Sequence, residues 1–92
     1  MKHIHTFENF LNEANVSTVM DAIKRGLGWA SVDYVRNAPI NRAGRMALAQ
    51  MLAADGILFA DDTLSDEHHE GKADPVEDGI TPLSIEDAKK LF

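Results

Sequence analysis

Apolar residues recur at helical spacing in three stretches of this chain and almost vanish from a fourth. Phe7, Phe10, Leu11 and Ala14 stand at i, i+3, i+4 and i+7, the stripe of a short amphipathic helix with Thr6 as its N-cap. Two or three turns are marginal in water alone, so such a helix needs a surface to lie against. Val16, Val19, Met20, Ile23 and Leu27 continue the pattern, with Asn15 or Thr18 as cap and Gly26 as stop. A third helix is predicted from near Asn41 through "RAGRMALAQMLAAD" to Gly56. It turns Leu48, Met51 and Leu52 inward with Ala47 alongside, and its small residues Ala43, Gly44, Ala47, Ala49, Ala53 and Ala54 let another backbone approach closely.

Between these helices "GLGWASVDYVRNAPI" supports two readings. Trp29, Val32 and Val35 suit a helical turn with Ser31 near its start, whereas the β-branched and aromatic content suits a short strand. Helix is the preferred reading, ended before Pro39, whose ring disfavours a helical Ala38. "ILFA" after Gly56 is too brief to classify by period and fits an edge strand or an extension that seals the core. The following "DDTLSDEHHEGKADPVEDGITP" is acidic, nearly free of large apolar groups and broken by Gly71, Pro75, Gly79 and Pro82, as in a solvated loop or linker. "SIEDAKKLF" closes with a short helix: Ser84 and Asp87 have capping-box spacing, Lys89 and Lys90 sit in the last turn, and Ile85, Leu91 and Phe92 are predicted to dock it. The expected architecture is mainly α, a small single domain of three to five short helices with an acidic loop and at most one short strand or hairpin. Its parts are an amphipathic leader over 1–13, a helical core over 14–60, a flexible acidic loop over 61–82 and a terminal helix over 83–92.

Length and charge narrow the picture. A chain of 92 residues buries only roughly 60–65% of its unfolded surface, so docking onto a partner or a second copy would help it. No apolar run approaches the length of a membrane span, and Lys2 is followed by His, Thr, Glu and Asn instead of a secretory h-region. The absence of cysteine excludes disulfides and thiol chemistry and fits an intracellular or virion setting. Residues 1–53 carry six Lys/Arg against four Asp/Glu, net +2, while residues 54–92 carry three against eleven, net −8. An acidic half argues against duplex binding, which needs basic groups to displace phosphate counterions.

Candidate chemistry is sparse. His68 and His69, flanked by Asp61, Asp62, Asp66, Glu67 and Glu70, are metal-ligand types at the wrong spacing. "HEGKA" puts Ala73 where a zinc-protease motif needs its second His, and a calcium loop begun at Asp61 meets Asp66 and Lys72 at its central Gly and terminal Glu positions. "GLGWAS" lacks the third glycine and the preceding strand of a dinucleotide loop. The basic residues Lys24, Arg25, Arg36, Arg42 and Arg45 are interleaved with Trp29 and Tyr34. Of these, Lys24, Arg25, Trp29 and Arg36 form the candidate anion- or nucleotide-binding set; the competing reading has them solvating helices, with Trp29 in the core. No catalytic residue, metal ligand or cofactor is predicted.

"MKHIHTFENFLNEA" resembles the N-terminal leader of internal head and prohead-core proteins of large contractile-tailed phages, the T-even group and its relatives. The resemblance covers about fourteen of 92 residues and rests on Phe-x-x-Phe followed by Leu-x-Glu and a small residue. It implies a leader that directs the chain into the assembling prohead and a protease cut after Glu13, with Leu11, Glu13 and Ala14 as the processing site. The acidic body sets the chain apart from the basic members that accompany packaged DNA and fits a scaffold-core or capsid-associated role. The expected function is therefore non-enzymatic: a virion or prohead-associated protein, in the virion or host cytoplasm, that contacts other phage structural proteins or its own copies. Phe7, Phe10 and Leu11 of the leader, with Ala47 and Met51 of the third helix, are the expected contacts. Two alternatives are an inhibitor of host defence, binding a nucleotide or mimicking nucleic acid, and a bacterial helical adaptor.

Overall fold

The computed structural model describes residues 16–92, and the leader with its processing site lies outside them. The described residues form a mainly α domain. Helix α1 covers residues 16–25, β1 Ala30–Ser31, α2 Val32–Arg36, α3 Arg42–Ala54 and β2 Leu58–Phe59. A 3₁₀ turn at Asp61–Thr63 follows, then α4 Asp66–His69 and α5 Ile85–Leu91. No helix among the described residues is long and apolar enough to cross a membrane.

Val19, Met20 and Ile23 of α1 are buried as their spacing requires. The helix ends in a turn where the amide of Gly28 donates to the Ile23 carbonyl at 2.8 Å. Gly28 takes a φ of 82° there, which a side chain would strain. Leu27, within that turn, is exposed although it fits the helical repeat. The chain has by then left the helix axis, so the repeat no longer sets its direction.

Both readings of residues 28–40 hold in part, because Ser31 serves two elements. It is the last residue of β1, and its Oγ accepts from the Tyr34 amide at 3.1 Å as N-cap of α2. β1 pairs in parallel with β2, Ala30 beside Leu58 and Ser31 beside Phe59, so "ILFA" supplies a strand sealed inside the core. Parallel pairing requires a crossover, and here α2 and α3 make it. On the far side of β2, the Leu83 amide donates to the Leu58 carbonyl at 2.8 Å, which ties in the C-terminal segment.

α3 begins at Asn41, whose Oδ1 accepts from the Gly44 amide at 2.7 Å. Replacing Asn41 with alanine removes this cap and is expected to cost about 1 kcal/mol, read as a lower urea midpoint at unchanged slope. Gly44 is where α1 and α3 meet: an added Cβ would lie 3.2 Å from Val16 Cγ2 and 3.3 Å from Ile40 Cβ. Leu48 and Leu52 are fully buried as expected, but Met51 and Ala47 face outward and Ala49 and Ala53 take the inner positions. The inner arc runs through Gly44, Leu48, Ala49, Leu52 and Ala53, since α3 is covered on adjoining sides by α2, β2 and α5.

Three further expectations are corrected. α5 docks through fully buried Ala88 and partly buried Phe92, while Ile85 and Leu91 are exposed; a methyl group at position 88 lets α5 lie close on α3. The core also does not stop at residue 60, because Ala88 belongs to the same buried cluster as Leu48 and Leu58, with partly buried Leu83 and Phe92 packed against it. The segment over 61–82 is not a featureless loop either. It contains the 3₁₀ turn and α4, with Pro75 fully buried and His68 nearly so.

Candidate functional site

The polar side chains with the most organised geometry lie in this acidic segment. Ser65 caps α4 and His68 occupies its third position, so the two have capping-box spacing with histidine in place of the usual glutamate. The Ser65 amide donates to His68 Nδ1 at 3.0 Å, and Ser65 Oγ lies 3.1 Å from the same nitrogen. His68 Nε2 lies 2.7 Å from Asp78 Oδ2. Because Nδ1 accepts a backbone N–H, the proton of the neutral ring sits on Nε2 and is donated to Asp78. His68 is only 6% exposed, and its bonds close α4 onto the 74–79 turn.

Ser65, His68 and Asp78 are the residue types of a nucleophilic triad, but their atoms are spent on the turn. The nitrogen facing the serine hydroxyl already holds Ser65's own backbone N–H, and neither cleft described below is lined by Ser65. Sequence reasoning missed this group because the surrounding carboxylates made the segment read as solvated. The signal that could have found it is Ser65-x-x-His68 at capping-box spacing.

The proposed anion-binding set does not converge. Lys24 Nζ lies 3.6 Å from Asp55, and the Arg36 guanidinium sits 5.7 Å from the centre of the Phe92 ring, a cation–π contact. Arg25 is exposed. Trp29 is buried, with its ring edge-to-face on Phe59 at 6.1 Å and tilted against His69 at 6.2 Å. It therefore offers no open face for a base, and none of the three cations lines the cleft it floors.

That cleft, of about 360 Å³, lies between the end of α1, the β1–α2 junction and α4. Ala22, Ile23, Gly26, Leu27, Trp29, Ala30, Ser31, Tyr34 and His69 line it. A second depression adjoins it at Gly26, Leu27 and Trp29 and continues over Gly71, Lys72, Ala73, Asp74 and Glu77. On α3, residues Ala43, Ala47, Met51 and Ala54 are all exposed and share one helical face. Of the expected contact residues, Ala47 and Met51 are thus open at the surface, while Phe7, Phe10, Leu11, Glu13 and Ala14 lie outside the described residues.

Among the described residues, no group of three or more His, Asp or Glu side chains gathers to hold a metal ion. No family model matches the chain, and no curated protein or solved structure proves similar to it.

Proposed function

We propose that this chain is a non-enzymatic phage protein of the prohead or virion that works by contacting other structural proteins, and that it is cut between Glu13 and Ala14 during head maturation. The observation that supports this reading is the string Leu11-x-Glu13-Ala14 preceded by Phe7-x-x-Phe10 in the sequence. The exposed face of Ala43, Ala47, Met51 and Ala54 supports a contact role for the body, since small side chains let another backbone come close and Met51 supplies an adaptable apolar anchor.

The test is the intact mass of the natural protein from purified particles and from infected-cell lysate. A species beginning at Ala14 in particles, with the full-length chain in lysate, is the expected result, and Glu13→Gln should leave the particle form uncut. Full-length protein in mature particles, or absence from both proheads and particles, overturns the reading.

A further inference from the structure

The two depressions flanking Leu27 form one groove of divided character. They share Gly26, Leu27 and Trp29 in their linings and so adjoin directly. One half is apolar and aromatic, built on Ile23, Trp29 and Tyr34, with no lysine or arginine in its lining. The other half is lined by Lys72, Asp74 and Glu77. Lys72 is already matched, its Nζ 2.9 Å from Glu70 Oε2. Asp74 spends Oδ1 on the Val76 amide at 2.9 Å, whereas Glu77 is exposed and has no partner among the described residues. This half therefore keeps unbalanced negative charge, within a segment whose net charge is −8 over residues 54–92.

The groove's position is fixed by the fold. Gly71, at a φ of 77°, brings the turn after α4 against Leu27, and an added Cβ would stand 3.2 Å from Leu27 Cδ2. Leu27 is thereby held at the border of the two halves, half-exposed, with Tyr34 open on the apolar rim. An apolar pocket beside an unpaired carboxylate is complementary to an apolar group carried next to a cation. We propose that this groove docks a peptide segment of a partner protein in which a large apolar side chain stands beside a lysine or arginine. The apolar side chain enters beside Leu27 and Tyr34, and the cation faces Glu77 and the free oxygen of Asp74.

This inference goes beyond the head-assembly reading and uses no residue of the leader, so the mass measurement and the groove measurement fail independently. The test titrates the full-length protein with acetyl-Phe-Lys-amide, acetyl-Phe-Glu-amide and acetyl-Ala-Lys-amide. Fluorescence of Trp29, the chain's one tryptophan, and backbone amide shifts report binding. The Phe-Lys probe should shift Leu27, Trp29 and Glu77 saturably and bind about two- to five-fold tighter than the Phe-Glu probe, the scale of one rim charge pair. Glu77→Gln should erase that preference. Leu27→Arg, at an exposed position, should abolish binding while leaving the thermal midpoint near that of the parent. Equal affinity for the Phe-Lys and Phe-Glu probes, no saturable shift up to about 10 mM, or shifts confined to other surfaces overturns the proposal. Groove resonances that move with protein concentration in the absence of peptide overturn it too, by making the occupant a second copy of this chain.

Discussion

Phe59→Ala should destabilise the domain by about 3–5 kcal/mol, the range for deleting a buried aromatic side chain with only partial collapse of the space left behind. Phe59 is fully buried, lies on β2 beside Ser31 of β1, and meets the Trp29 ring edge-to-face. The loss therefore combines transfer of the ring to water, a cavity between the sheet and the cleft floor, and about 0.5–1.5 kcal/mol of ring–ring contact. For 92 residues total stability is on the order of 5–14 kcal/mol, so the variant keeps little margin. Phe59→Leu, which retains most of the volume, should cost about 1.5 kcal/mol or less. Urea titrations followed by Trp29 emission measure both. A loss below about 1 kcal/mol for the alanine variant would show that Phe59 does not hold the sheet and the Trp29 cleft together.

That outcome bears on how the fold was encoded. Val19, Met20 and Ile23 were legible because a helix long enough to repeat its period declares its inner face, and Leu48 and Leu52 for the same reason. Phe59 was not assignable, since a strand of two residues has no period to read and its parallel partner lies on the other side of two helices. The alanines of α3 were legible as a group but not one by one. Ala49 and Ala53 are inside while Ala43, Ala47 and Ala54 are outside, and only the arrival of α5 and β2 on adjoining sides decides between them. Met51 was drawn inward by its hydrophobicity, yet it lies about 100° around the helix from Leu52 and is 42% exposed.

The candidate sites show the same division. Leu11, Glu13 and Ala14, the proposed processing site, lie outside the described residues and rest on a local string of the sequence alone. The groove has no such string, because Trp29 and Glu77 are joined in it by the meeting of α1 with the turn after α4. Charge spacing likewise suggested that Lys24, Arg25 and Arg36 act with Trp29, but Asp55 and Phe92, both distant in sequence, draw two of them away.

The acidic segment is the sharpest case of a feature that sequence hides, and it sets the second large effect expected. A run this rich in carboxylates repels itself and buries little, so something specific has to close it. The structure supplies buried Pro75, a turn in which the Asp74 carboxylate accepts from the Val76 amide, and the His68 knot. His68→Ala should therefore cost about 2–3 kcal/mol, from lost burial of the ring and two hydrogen bonds at about 1 kcal/mol each. Asp78→Asn should cost about 1 kcal/mol or less, because an amide oxygen still accepts the Nε2 proton and residue 78 is half in solvent. The contrast separates a hydrogen-bonded neutral ring from an ion pair, since an ion pair would raise the cost of losing the Asp78 charge well above about 1 kcal/mol. Nitrogen-15 shifts of the His68 imidazole at neutral pH should show a protonated Nε2 and a bare Nδ1, matching the donation from the Ser65 amide. A protonated Nδ1, or an Asp78→Asn variant as unstable as His68→Ala, would mean that charge, not donor geometry, holds this segment closed.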